Sequence, residues 1–282
     1  MTPAAASRES SVRWLGHGTV LVDTAGVRVL TDPLLRTRLA HLRRLAPLDV
    51  AAVARVDAAL VSHVHYDHLD LPSLERLDPE TAIVVPAGAG RLLRRRRFRS
   101  VVELQEGEVA VVRGLEVRAT HAKHTAARIP GISRPVPALG YLLDGGRIYF
   151  AGDTDVFESM ADISDALAVA LLPIAGWGAR LPPGHLDPCR AAQALRLLRP
   201  RVAVPIHWGT YRPFYERGHD GRRPAEEFVR HAAELAPEVE VRVLAVGEEL
   251  RLHADGRRPF PAASPTIAGG RGDPNERLEE RG

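Results

Sequence analysis

The chain has 282 residues, 45% of them hydrophobic and 26% charged, with a formal net charge of +3. That balance excludes a disordered chain and gives no call for a polyanionic partner; Lys is nearly absent and Arg abundant. The single cysteine, Cys189, excludes an internal disulfide and fits the cytoplasm, and no apolar run approaches the ~20 residues of a membrane span.

In chain order, residues 1–11 read as a loose tail without the apolar stretch of a signal peptide. Three short strands follow at Val12–Leu15, Thr19–Val22 and Val27–Thr31, the last ended by Asp32-Pro33. The Arg- and Leu-rich segment 34–48 reads as a surface excursion covering part of the core. Ala58–Ser62 is a buried strand. Asp70 caps a helix running to about Leu77, and Ala82–Val85 is again a strand. A helix is expected over Gly88–Arg97, then strands at Val101–Leu104, Val109–Val112 and Leu115–Thr120. The second half repeats this grammar. A hairpin joins Leu139–Leu143 to Arg147–Ala151, and strands lie at Val169–Leu172 and Val202–Ile206. Asp187-Pro188 opens a helix stopped by Pro200, Pro224–Leu235 is a second helix, and Val239–Val243 and Glu249–Leu252 close the pattern. With no linker between the halves, one domain over residues 12–253 is expected. Residues 256–282, rich in Gly, Pro, Arg and Glu, read as a disordered tail.

Chemistry gathers where strands end. His63, His65, Asp67 and His68 place four metal-binding side chains within six residues after the Ala58–Ser62 strand. His63 and His65 are two apart, so extended backbone points them the same way; Asp67 and His68 approach from another side. Imidazole with carboxylate suits zinc, and also iron or manganese. Three further groups also follow strands: His121 with His124, Asp153 in Gly152-Asp153-Thr154, and His207 in His207-Trp208-Gly209-Thr210. Asp32 either orients a ligand histidine or only ends its strand. Trp14, Trp177, Trp208, Tyr211, Phe214 and Tyr215 could wall a pocket. The run Arg94–Arg97 with Arg99 reads as a solvated face rather than a nucleic-acid site, and His41, His219, His231 and His253 have no supporting context.

The combination of H-x-H-x-D-H at 63–68, a later His, Gly152-Asp153-Thr154 and His207 resembles the metallo-β-lactamase fold superfamily. Trp14-Leu15-Gly16-His17-Gly18-Thr19 and Leu30-Thr31-Asp32-Pro33 look like the family's opening. Gly184-His185-Leu186-Asp187-Pro188 and Pro205–Thr210 look like the branch of N-acyl-phosphatidylethanolamine phospholipase D and ascorbate-6-phosphate lactonase. The resemblance implies an α/β fold, an αββα four-layer sandwich, with a two-metal site on one edge. It assigns His63, His65 and His124 to the first ion and Asp67, His68 and His207 to the second, bridged by Asp153. Between His121 and His124 it selects His124, because the branch has an Arg four residues on, here Arg128; His121 is then a neighbouring pocket residue. His185 is implied as a donor to the transition state, making Asp67 and His185 the residues closest to the reaction.

The implied activity is hydrolysis by a hydroxide shared between two divalent ions, most simply zinc, on small or lipid-like phosphodiesters. A lactonase or other carbonyl hydrolase is the close alternative. A nuclease is a further one, although no insertion that could grip tRNA is present. Iron redox chemistry usually comes with a flavin domain, for which there is no length here, and metal binding without catalysis is weakest because the ligand set is complete. Peripheral membrane contact is compatible with the sequence, which is silent on oligomeric state.

Overall fold

Apolar alternation organises the chain into sheets. The computed structural model describes residues 9–49, 51–94, 96–129, 131–177, 181–216 and 221–252. In order, the elements are β1 (Ser10–Gly16), β2 (Thr19–Thr24), β3 (Val27–Thr31), β4 (Arg38–Leu39), β5 (Leu42–Arg44), β6 (Ala58–Leu60), α1 (Leu71–Leu74), β7 (Ala82–Pro86) and β8 (Val101–Leu104). There follow β9 (Val109–Val112), β10 (Leu115–Ala126), β11 (Val136–Leu143), β12 (Ile148–Phe150), β13 (Val169–Pro173), α2 (Pro188–Leu198), β14 (Val202–Ile206), β15 (Tyr211–Pro213), α3 (Arg223–Leu235), β16 (Glu240–Val241) and β17 (Glu249–Leu252).

Two seven-stranded sheets result, β17-β1-β2-β3-β6-β7-β8 and β16-β14-β13-β12-β11-β10-β9. Each is antiparallel at one end and parallel at the other. In the first, the pairings from β17 to β3 are antiparallel and those from β3 to β8 parallel. In the second, β9 to β12 are antiparallel and β12 to β16 parallel. This is the repeated grammar legible in the sequence.

The main core lies between the sheets. Val29, Ala58, Leu60 and Val84 of the first sheet share it with Val117, Tyr141, Tyr149 and Leu171 of the second. Alternate residues of the same strands, Leu30, Ala59, Val61, Ile83 and Val85, point outward beneath Leu35, Val53, Leu74, Leu77 and Leu93. Helices α2 and α3 cover the far face of the second sheet through Ala191, Leu195, Leu198 and Phe228. The architecture is therefore an αββα sandwich with unequal outer layers, because among the described residues the helical cover of the first sheet is limited to α1 and 3-10 turns.

Asp70 and Asp187 cap α1 and α2 as their positions predict, accepting from the Ser73 and Arg190 amides at 3.1 and 2.8 Å. Several boundaries differ from the sequence reading. Ser10 and Ser11, placed in the loose tail, belong to β1, where Ser10 pairs with Leu252. Residues 1–8 and the expected tail 256–282 lie outside the described residues, as do His219, His253 and the 253 boundary. The expected helix at Gly88–Arg97 reduces to a 3-10 turn at Gly90–Leu92. Consecutive arginines offer no apolar stripe of helical period to bury. Instead Arg96 pairs with Glu75, Arg97 donates to the Glu75 and Leu77 carbonyls, and Arg99 pairs with Glu80. Helix α1 stops at Leu74, short of Leu77. The 34–48 excursion forms a small antiparallel sheet, β15-β5-β4, over buried Leu34, Leu42 and Tyr211. Among the described residues no helix is long and apolar enough to cross a membrane.

Candidate metal centre

The carboxyl ends of the parallel strands converge on one edge of the sandwich, the place where open parallel sheets collect ligands. β3 ends on Asp32, β6 on Ser62–His68, β12 on Gly152-Asp153, β13 on the loop to Trp177, and β14 on His207. β1 brings His17 and β10 brings His124 to the same edge. The approach is close. Gly152 has φ +59, and a Cβ there would lie 2.5 Å from Ser62 Cβ. At Gly184, φ +86, a Cβ would lie 2.9 Å from His124 Nδ1.

The hydrogen bonds assign the imidazole protons. His68 Nδ1 is 2.6 Å from Asp32 Oδ2, His124 Nδ1 is 3.0 Å from the Gly184 carbonyl, and His207 Nδ1 is 2.9 Å from the Ala175 carbonyl. His185 Nδ1 lies 3.0 Å from the Pro182 carbonyl. A carbonyl or carboxylate oxygen accepts, so in each ring Nδ1–H donates outward. Ser62 Oγ gives its own proton to Asp32 at 2.6 Å and therefore accepts from His63 Nδ1 at 2.9 Å. Five rings thus turn Nε2 toward a common centre, as metal-bound histidines do when their other nitrogen is anchored.

At that centre His63 Nε2 lies 3.0 Å from His65 Nδ1, and His68 Nε2 lies 3.1 Å from His207 Nε2. Asp153 sits between them. Its Oδ2 is 3.4 Å from His68, 3.4 Å from His185 and 3.8 Å from His63, and its Oδ1 is 3.6 Å from His207. Ligand atoms of His63, His65 and His124 lie within 4.8 Å of one another, as do those of His17, Asp67, His68 and His207. Asp153 joins His63 with His68, and His124 with His185, in the same way. Among the described residues, His124 Nε2 and Asp153 Oδ1 are buried with no hydrogen-bond partner. Buried orphan acceptors are costly unless something satisfies them, and a cation here would satisfy both. The residues present fit a metal.

Electrostatics points the same way. Burial would raise Asp67 and Asp153, but the surrounding imidazoles hold both carboxyls well below their usual range. Burial lowers His63 and His65, and takes His124 to about 4. His68 resists burial: Asp153, Asp67 and Asp32 keep it well above the usual imidazole range. His185 is also raised against burial, chiefly by its contact with Asp153. Two buried anions among mostly neutral rings make a site poised for positive charge.

All seven expected ligands, His63, His65, Asp67, His68, His124, Asp153 and His207, come together here, and so does His185. His121 does not. It is exposed, pairs with Glu106 at 2.9 Å and packs edge-on against Phe157, so it is no pocket residue. β10 runs to Ala126, past its expected end, and Ala122, His124 and Ala126 face inward while His121, Lys123 and Thr125 face out. Asp32 does more than end a strand, since it orients His68 directly and receives the Ser62 amide at 2.7 Å. Of the expected pocket aromatics, Trp14 and Trp208 stack on each other at 5.0 Å inside the fold, and Phe214 and Tyr215 are exposed. Trp177 alone among the tryptophans reaches the centre, donating Nε1–H to Asp67 Oδ2 at 2.7 Å; its neighbour Gly178 lies outside the described residues.

Two residues that entered the sequence reading only as parts of family motifs take a direct part in the site. Arg128 clamps the metal loop, donating to the Val64 and Leu69 carbonyls at 3.0 and 2.6 Å, with its guanidinium 3.8 Å from the Tyr66 ring centroid. His17 is buried, and its Nε2 lies 3.0 Å from Asp67 Oδ2. A histidine between two glycines at a strand end, in a chain whose other strand-end histidines cluster, was the available signal.

Comparison with known proteins places this geometry. Residues 27–208 match the family model described as the beta-lactamase superfamily domain. A metal-dependent hydrolase of Rubrobacter xylanophilus is 32% identical over 249 residues, covering 85% of this chain and 95% of that protein. An N-acyl-phosphatidylethanolamine-hydrolyzing phospholipase D of Caenorhabditis elegans is 31% identical, covering 70% of this chain. The chain spans 63% of that relative's length, and 59% of an uncharacterized Mycobacterium tuberculosis protein to which it is 33% identical. Among solved structures, the metallo hydrolase Igni18 of Ignicoccus hospitalis is similar with a TM-score of 0.65 and 26% identity, covering 87% of this chain and 99% of that one.

Proposed function

This chain belongs to the beta-lactamase superfamily, and from that premise we propose that it is a metal-dependent hydrolase holding two divalent ions, zinc foremost, and cleaving phosphodiesters in the manner of a phospholipase D. The observation that carries the reading is the set of five imidazoles whose Nδ1 protons are anchored outward and whose Nε2 atoms converge on Asp153 and Asp67. His63, His65 and His124 would hold one ion and Asp67, His68 and His207 the other, with Asp153 lying between the two groups. Such a pair of ions would supply hydroxide near neutral pH and neutralise charge on the attacked group.

The rest is the work of the chain. Asp32, Ser62, Gly184 and Ala175 fix the ring orientations, so the site is organised before substrate arrives. His185 turns Nε2 toward Asp153 at 3.4 Å, a contact that raises its pKa, and a proton held there would pass to the developing oxyanion or to the leaving oxygen. Trp177, 40% exposed, lines the mouth while its indole N–H steadies Asp67. Kinship with the nematode phospholipase D supports the phosphodiester class. The substrate in this reading is a small or lipid-like ester, met in the cytoplasm or at a membrane surface. The engagement of Arg96, Arg97 and Arg99 with neighbouring chain counts against a nucleic-acid surface there.

The test is metal analysis of the purified protein with a panel of a phosphodiester, a phosphomonoester, lactones and an RNA. Two ions per chain and phosphodiester turnover are expected. Turnover of lactones alone would transfer the assignment to carbonyl hydrolysis, and full activity with less than one ion per chain would end the two-metal reading.

A further inference from the structure

One imidazole at the centre has the opposite proton arrangement. His17 Nε2 faces Asp67 Oδ2 at 3.0 Å, and a carboxylate only accepts, so His17 carries its proton on Nε2 and points it inward. Trp177 Nε1–H donates to the same oxygen at 2.7 Å. Oδ2 of Asp67 is thereby held by two protein donors, on the side where the Nε2 atoms of His68 and His207 stand 3.5 and 3.7 Å from it. The backbone of His17 is equally committed. It lies in the left-handed region at φ 56, its N–H donates to Thr210 Oγ1 at 2.6 Å, and its carbonyl accepts from the His207 amide at 3.0 Å. His207 is itself left-handed, at φ 64. Buried non-glycine residues in that conformation are strained and persist where surrounding contacts impose them. His17 is thus tied by its side chain to Asp67 and by its main chain to His207.

We propose that His17 is a positioning residue for the second metal subsite: with Trp177 it fixes the Asp67 carboxylate through Oδ2, and through its carbonyl it sets His207. The inference rests on the two-ion reading above. It assigns His17 a role distinct from a ligand's, because the nitrogen that faces the site bears a proton.

The experiment measures metal content and chelator-competition affinity of purified protein, apart from any turnover. His17→Ala and Trp177→Phe are expected to weaken the second ion about 10–100-fold and leave the first unchanged. His17→Gln, whose amide N–H reaches a similar position, is expected to restore most of that affinity. The visible spectrum of the fully cobalt-loaded His17→Gln protein should match that of the unsubstituted chain. A changed spectrum would mean that His17 ligates directly, overturning the positioning role. Two ions bound at unchanged affinity in both His17→Ala and Trp177→Phe would overturn it as well. Should His17→Ala fail to fold, Trp177→Phe tests the same oxygen from a half-exposed side chain. An unsubstituted chain that binds one ion overturns the two-ion reading itself, an outcome separable from the others.

Discussion

The two halves of the centre are built to different standards. Around His63, His65 and His124 the supports are single contacts: Ser62 on one ring and the Gly184 carbonyl on another. Around Asp67, His68 and His207 they are redundant, with Asp32 on His68, the Ala175 carbonyl on His207, and both His17 and Trp177 on Asp67. Left-handed backbone is concentrated there too, at His17, Asp32 and His207. Both halves draw two ligands from the loop after β6, into which the extended backbone expected at His63 and His65 does not continue, because the strand ends at Leu60. The first half adds His124 from β10, and the second adds His207, 139 residues on from His68, at the end of β14.

That contrast can be broken outright at the residue the halves share. Asp153→Ala should reduce hydrolysis to background and weaken both ions together, measured by turnover alongside metal content. A loss confined to one ion would remove Asp153 from its bridging role. Next in size is Asp32→Asn, which keeps shape but removes the charge behind His68. Affinity for the second ion should fall about 10–100-fold with the first nearly unaffected, read by chelator competition. Equal weakening of both would erase the difference between the halves.

A pH titration of the metal-stripped protein sharpens the comparison. Burial holds His17 near 3 and His124 near 4, and lowers His63 and His65 as well. On unfolding these rings can take protons below about 6.5, so the folded state binds fewer and stability falls as pH drops from about 6.5 toward 4. His68 and His185 have the opposite sign: burial opposes their charge but neighbouring carboxylates raise them, so their contributions are complete below about 6.5 and are lost as pH rises through their folded pKa values. The lowered rings therefore set the slope in mild acid. The thermal midpoint of stripped protein should fall from pH 7 to pH 5, and a rising midpoint would contradict the assignment. The smallest expected effect is that of His121→Ala, within about 0.5 kcal/mol in stability and with no change in metal content. Loss of an ion in that variant would reopen the choice between His121 and His124.

Much of this was legible because periodicity and ligand chemistry are local. The alternation in β3, β6 and β7 gives the two faces of the first sheet, and H-x-H-x-D-H follows directly from β6. β10 was harder, because His121-Ala122-Lys123-His124-Thr125-Ala126 is polar enough to read as a loop. Yet its parity, small apolar residues at 122 and 126 with His124 between them, separates His124 from His121. The helix expected at Gly88–Arg97 failed because the arginine run after Leu93 has high helical propensity but continues no apolar stripe beyond Ala89, Leu92 and Leu93. His17 was out of reach for another reason. Its partner Asp67 is 50 residues away, and Thr210, which takes its amide proton, is 193 away; no window of sequence contains that arrangement.

The closure of the first sheet by β17 carries a consequence for the order of folding. β17 pairs with β1 along Ser10–Arg13, and Arg13 reaches Glu249 across 236 residues at 2.6 Å. Contacts of such separation pay the largest loop-closure entropy and form late. Until residues 249–252 have left the ribosome, β1 presents an unpaired edge able to pair with another chain. β1 is also the strand that delivers His17 beside Asp67. Synthesis of β17 therefore sets the earliest moment at which β1 ceases to be an edge strand, and from then on the short β17 holds the outer position of the sheet.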